Sequence, residues 1–218
     1  MTRPGVVSVN VGLPQRLEWR GELVETAIFK QAVAGPVRVG QLNLEGDRQA
    51  DPTVHGGADK AVYAYPSEHY PFWQEELGGA LPWGALGENL TLAGLVESAV
   101  RIGDRLAIGS AEFVVTQPRM PCFKLGLRHR RADLVKRFEQ AGRPGFYLAV
   151  TREGSLQAGQ RVSLTRAPEG ALTVLEIARL RTAKQPQRAL VQRAAALEGL
   201  STGWREYFHR RLLAESVE

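Results

Sequence analysis

The sequence predicts a mainly β protein with added α structure: a β-barrel decorated by helices over residues 1–168, followed by a small three-helix unit over residues 169–218. Three observations predict it. Up to about residue 168 the apolar residues fall in short runs, several of them alternating with polar ones as a half-buried strand requires. Gly, Pro, Asp and Asn break these runs at close intervals, which suits an antiparallel barrel better than repeated βαβ units. After TRAPEGA (165–171) the apolar spacing becomes helical.

The strand candidates in order are VVSV (6–9), AIFKQAV (27–33), VRVGQLNL (37–44), KAVYAY (60–65), ENLTL (88–92), RLAIG (105–109), AEFVVTQ (111–117), FYLAV (146–150) and QRVSLT (160–165). RIGDRLAIGSAEFVVTQP (101–118) reads as strand, turn, strand, with Gly103-Asp104 and Gly109-Ser110 as reversals. Two interruptions look helical: SEHYPFWQEEL (67–77), with Ser67 as N-cap, and RRADLVKRFEQAG (130–142), closed by Gly142. In the tail, Thr173 and Glu176 have capping-box spacing, so each side chain meets an amide left over at a helix start. Leu190, Ala194 and Leu197 share one stripe of a second helix that Gly199 ends. Trp204, Phe208 and Leu212 stack one turn apart on a third.

At 218 residues, 44% hydrophobic and 23% charged, the chain is large enough to bury a core without staples, and it carries no repeat or low-complexity block. Its one cysteine excludes an internal disulfide, a Cys-rich zinc site and an iron–sulfur cluster held by this chain alone. The amino terminus lacks the apolar stretch of a signal peptide, and no run approaches the roughly 18 apolar residues of a membrane span. A cytoplasmic protein with no membrane partner is therefore expected. The net charge of +5 favours an anionic partner, or is simply an arginine-rich solvated surface.

Three segments concentrate chemistry. QPRMPCFKL (117–125) places Cys122 between Arg119 and Lys124, cations that favour the nucleophilic, metal-binding thiolate, with Pro118 and Pro121 stiffening the backbone. A packed, inert cysteine is the plain alternative. LEGDRQADPTVHGGADKAVYAYP (44–66) sets Gly56-Gly57 behind His55 and ahead of Lys60, a turn whose exposed amides suit a phosphate, or merely a hairpin. It is no Walker loop, and no Rossmann turn occurs elsewhere. His55 with Asp47, Asp51 and Asp59 is also a weak candidate for a divalent metal. GENLTLAGLVES (87–98) offers Asn89 to a heterocycle or to an Asx turn, and Tyr63, Tyr65, Tyr70, Phe72 and Trp73 line a pocket or pack a core.

Taken together, these segments, with GRPGFYLAV (142–150) and the tail ALEGLSTGWREYFHRRLL (196–213), resemble the MOSC domain, named for the molybdenum cofactor sulfurase C-terminus, in its YiiM-type bacterial branch. The resemblance covers nearly the whole chain. It implies a β-barrel that binds the molybdenum cofactor (Mo-molybdopterin), with Cys122 as the metal ligand, a soft donor suited to that centre. It further implies cofactor contacts from Arg48, His55, Gly56, Gly57, Lys60, Asn89, Arg119 and Lys124. Lys60 and Arg119 are expected to meet the anionic cofactor and His55 or Asn89 the substrate. Ala149 departs from the pattern, standing where relatives often carry arginine.

The activity implied is reduction of N-hydroxylated compounds, including base analogues such as 6-hydroxylaminopurine, by an oxidoreductase that detoxifies them. Cys122 and His55 are its catalytic pair, His55 being the best candidate acid. No flavin or nicotinamide motif is visible, so a separate electron-transfer reductase is expected as partner, and a homodimer by family analogy. Two alternatives stand beside this: Cys122 as a persulfide carrier to a metal centre, and the arginine-rich tail as a nucleic-acid-binding helix-turn-helix. Trp204 and Phe208 look committed to packing, so nucleic acid is not the expected partner.

Overall fold

Alternation and turn chemistry produce the central hairpin where they should. In a computed structural model describing residues 3–50 and 56–214, β8 (Arg105–Ile108) pairs with β9 (Ala111–Pro118) across a turn in which Gly109 takes φ 60°. A Cβ there would stand 2.2 Å from the Ser155 carbonyl oxygen, so glycine is required. On its other side β9 pairs with β10 (Phe146–Arg152), and β12 (Val162–Thr165) pairs with β8.

The rest of the main sheet comes from earlier in the chain: β1 (Gly5–Val11), β4 (Gln31–Ala32), β6 (Val62–Pro66) and β7 (Leu90–Ala93). The strand order is β12-β8-β9-β10-β6-β7-β1-β4. Two small ribbons stand apart, β2 (Gln15–Trp19) with β3 (Glu22–Thr26), and β5 (Val37–Val39) with β11 (Gly154–Leu156). The first of these was not foreseen; its Arg20-Gly21 turn has both residues at positive φ, the pattern of a tight hairpin.

The expected closed antiparallel barrel is overturned. Among the described residues the sheet is open, ending at β12 and β4, and mixed, because β6 and β7 run parallel. The parallel pair is joined through α1 (Tyr70–Leu77), a single βαβ crossover that local turn signals do not disclose. Bulges between Val6 and Ser8 and on both halves of β10 curve the sheet. The curvature brings the start of β1 beside residues 159–162, where the pair Gly5 and Arg161 forms an isolated bridge instead of a ladder.

Two apolar clusters flank the sheet. One includes Val9, Phe113, Phe146 and Leu148 and continues without a break into Val174, Ile177, Val191, Ala194, Trp204 and Phe208. These last belong to α4 (Val174–Thr182), α5 (Arg188–Ala195) and α6 (Thr202–Ala214), the three helices expected of the tail. Thr173 and Glu176 form the full capping box that begins α4. The other cluster holds Tyr65, Tyr70, Trp73 and Phe138, with Trp73 stacked on Phe138 at 5.0 Å. It packs α1 against α3 (Leu134–Ala141), which Gly142 ends at φ 62°. The residues expected to begin that helix instead finish a separate one, α2 (Phe123–His129), whose left-handed C-cap is Arg130.

Candidate functional site

β9 ends at Pro118 and delivers the chain to Arg119, whose amide bonds the Gly145 carbonyl at 3.4 Å. The Arg119 side chain turns inward: it is 6% exposed, donates to the Leu86 carbonyl at 2.6 Å and lies over the Tyr63 ring at 4.5 Å. Burial opposes its charge, but Tyr63, Tyr147 and Cys122 beside it more than compensate, and its pKa lies above the ordinary guanidinium value. Cys122 follows as the half-buried N-cap of α2. Its carbonyl holds the Leu125 amide at 3.0 Å, so the backbone that carries the thiol is fixed from both sides.

The GEN segment faces this loop. Gly87, at φ 87°, lies where a Cβ would stand 2.9 Å from Ile28 and 3.6 Å from the Arg119 guanidinium. Glu88 is fully buried and accepts from the amides of Gly84 (2.8 Å) and Leu86 (3.1 Å), from the Thr91 hydroxyl (2.8 Å) and from the Tyr70 hydroxyl. Asn89 accepts from the Tyr63 amide at 3.1 Å and donates to the Asn10 carbonyl at 3.3 Å and to Asp47 at 2.9 Å. Its amide is thus engaged by the protein itself.

Asp47 also accepts from the Gly12 amide and from Lys30, a pair in which both side chains are nearly buried. Burial lowers the Lys30 pKa; Asp47 opposes that, while Arg119 and Arg128 reinforce it. Arg128 of α2 in turn donates to the carbonyls of Ile28 and Lys30, pinning this segment beside the cysteine loop.

These elements enclose one cleft. Lys30, Lys60, Arg119 and Lys124 line it, against the single carboxylate of Asp47 among the described lining residues, and Cys122, Tyr63, Tyr147 and Asn89 complete its wall. Arg119, Cys122 and Lys124, neighbours in sequence, are therefore brought together with the distant Lys60 and Asn89. Gly56 and Gly57 lie outside the cleft in an adjoining groove, Gly57 at φ 95° heading the turn Ala58–Lys60. Arg48 is exposed and does not line the cleft. His55 and Asp51 lie outside the described residues. Lys30 and Tyr147 were not singled out from sequence. A lysine inside the apolar run AIFKQAV was the available signal for the first, since a buried lysine needs a partner.

Residues 51–163 match the MOSC domain family, and residues 172–214 match the YiiM-like 3-alpha helix domain. The chain is a MOSC-domain protein of the YiiM family. It is 40% identical over 209 residues to the uncharacterized protein YflK of Bacillus subtilis (strain 168), covering 96% of this chain and 95% of that one. It is 34% identical over 196 residues to protein YiiM of Escherichia coli (strain K12), covering 88% and 87%. A longer protein of Gibberella moniliformis named "Reductase" is 34% identical over 183 residues, 82% of this chain but 32% of that one. The crystal structure of YiiM from Geobacillus stearothermophilus superposes with a TM-score of 0.81 at 38% identity, covering 96% of this chain and 99% of that one.

The MOSC domain family is associated with the molybdenum cofactor, and the cleft of this YiiM-family chain suits that group chemically. Among the described residues no cluster of three or more His, Cys, Asp or Glu side chains is placed to cage a bare ion. A metal arriving with its own dithiolene needs only one soft protein donor, which Cys122 offers, and its phosphate needs cations, which line the same wall. Ala149, on β10 opposite Val114, does not line the cleft. No helix among the described residues is long and apolar enough to cross a membrane.

Proposed function

We propose that this chain is a molybdenum-cofactor-dependent reductase of N-hydroxylated compounds, converting R–NH–OH, two protons and two electrons to R–NH2 and water. The observation that carries this reading is the half-buried Cys122 thiol set in a cleft lined by Lys30, Lys60, Arg119 and Lys124 within a MOSC-family chain. When bound, the cofactor supplies the two-electron chemistry that breaks the N–O bond. Cys122 holds the metal; Lys60, Lys124 and Arg119 hold the anionic parts of the cofactor; Asn89 and Asp47 keep the floor of the cleft rigid. Lys30 stands on the cleft wall paired with Asp47.

Electrons come from a separate donor. The Gibberella protein supports this division, since its name is "Reductase" and about two thirds of its length lies outside the match. The test is expression in a host that makes the cofactor, followed by elemental analysis and assay with reduced methyl viologen as donor. About one molybdenum per chain and conversion of 6-hydroxylaminopurine to adenine are expected, both lost in Cys122→Ser without loss of the thermal transition. Full activity in that variant overturns the reading, and a sulfur-carrier role for Cys122 would require persulfide on the metal-free protein instead.

A further inference from the structure

The positive charge of the chain is unevenly spread. Residues 172–214 hold eight Lys and Arg against three Asp and Glu, a surplus of five, whereas residues 1–171, about four times as long, hold 20 against 18. Glu215 and Glu218 offset part of that surplus. Ion pairing is uneven too. In the larger part Asp133 pairs with Arg131 and Arg137, Glu112 with Arg152 and Asp104 with Arg166. In the tail Arg210 lies 3.8 Å from Glu206, while among the described residues Arg179, Lys184 and Arg193 make no ion pair.

Four arginines gather where the tail meets the sheet. Arg179 on α4, Arg193 on α5 and Arg101 ahead of β8 line one surface groove, and Arg179 lines a second with Arg143, just past α3. The two grooves meet along α4, sharing Ser98, Leu175 and Arg179. Their junction is fixed: Arg101 and Thr173 form a backbone bridge, and the Val174 and Leu175 amides donate to the Val100 and Glu97 carbonyls at 2.9 and 3.0 Å. Among the described residues none of the four arginines forms an ion pair; Arg193 donates to the Gly170 carbonyl at 2.7 Å, and Arg143 lies over Phe72 at 4.0 Å. Of the carboxylates along these grooves, Glu176 is held in its capping box and Glu97 by His69 and the Gly145 amide, which leaves Glu139 and Glu169 exposed.

The second groove ends on the cysteine loop. Met120 and Pro121 line it together with Leu175 and Ala178 of α4, so an apolar centre is ringed by arginines. That is the anatomy of a protein-docking face, where arginine is enriched and attraction to opposite charge steers the encounter. We propose that this face docks a small acidic electron-carrier protein, bringing its redox group against the loop that carries Cys122. The inference rests on the reductase reading and gives the electron donor a place to bind. The carrier gives up two electrons and leaves oxidised; with two protons they turn the N–OH group into an amine and water. Arg119 and Met120 line both this groove and the Cys122 cleft and stand between them, so a docked carrier leaves the cleft free for substrate.

The experiment compares the full chain with the double variant Arg179→Glu/Arg193→Glu and with Arg38→Glu, the same charge change on the exposed side of β5, using thermal melts to establish folding. The probes are two acidic carriers, a flavodoxin and a plant-type ferredoxin. In calorimetric titration of metal-free protein at low salt, saturable binding of one or both is expected, weakened roughly tenfold or more in the double variant, unchanged in Arg38→Glu and falling as salt rises. With loaded protein, the double variant is expected to raise KM for the reduced carrier about tenfold while turnover with reduced methyl viologen, which needs no docking face, stays within about twofold of wild type. Absence of saturable binding of both carriers, or wild-type affinity in a folded double variant, overturns the proposal. So does binding of a short DNA duplex in their place, lost in the same variant, which would make nucleic acid the partner of this face. Should the loaded wild type reduce no N-hydroxylated compound even with methyl viologen, the reductase reading fails while the titration still decides whether acidic carriers dock.

Discussion

Glu88 and Lys30 divide the labour of buried charge around the cleft. Glu88 accepts four hydrogen bonds and has no exposed surface, so it is a framework carboxylate that holds the GEN turn. Glu88→Gln keeps the shape but turns one acceptor into a donor facing other donors. A loss of about 1–3 kcal/mol in denaturant unfolding is expected, and wild-type stability would show the network to be dispensable. Lys30 differs, since its side chain opens on the cleft while its ammonium pairs with Asp47. Lys30→Met strands the Asp47 carboxylate and is expected to destabilise by about 3–5 kcal/mol, again read by denaturant. The cysteine motif was legible because its cations are adjacent in sequence. The Lys30–Asp47 pair was not, because it joins residues whose proximity only the tertiary fold creates.

At the scale of elements, α2 explains why part of the site escaped sequence reading. Its seven residues follow Cys122, an N-cap that makes no side-chain capping bond, and offer too short a pattern to announce a helix. What fixes it is tertiary: Leu125 and Leu127 are buried, Arg128 binds the Ile28 and Lys30 carbonyls, and the His129 Nε2–H donates to the Ala85 carbonyl at 2.9 Å. Burial lowers the His129 pKa from its ordinary 6.5, the Ala85 bond pulls it up and Arg128 adds to the lowering. Below pH 6.5 the unfolded chain therefore takes up a proton that the folded chain resists. Stability from this group is complete above 6.5 and declines as pH falls toward the lowered folded value. His129→Gln is expected to flatten that part of the profile, measured as Tm against pH; an unchanged slope would place the acid sensitivity elsewhere. By contrast the capping box of α4 was legible from two residues, and Thr173→Ala should cost about 1 kcal/mol of unfolding free energy.

For the whole molecule, the strands were largely readable and their closure was not. Alternation tells which residues pair into a sheet face, but the direction of β7 beside β6 depends on the crossover through α1, and whether the sheet closes depends on bulges whose effect is visible only in three dimensions. The open sheet has a consequence for the tail. The apolar cluster of the sheet runs into Val174, Ile177, Val191, Trp204 and Phe208, so α4–α6 cover part of the core, and the Ser201 amide is bonded to β9 beside Gln117. Phe208 is fully buried, and Phe208→Ala is expected to cost about 3–5 kcal/mol. A fragment ending at residue 168 exposes the face those helices cover and should lose the single cooperative melt of the full chain. If the fragment instead melts cooperatively within a few degrees of the full chain, the sheet holds its own core, and the tail's part is confined to the arginine face.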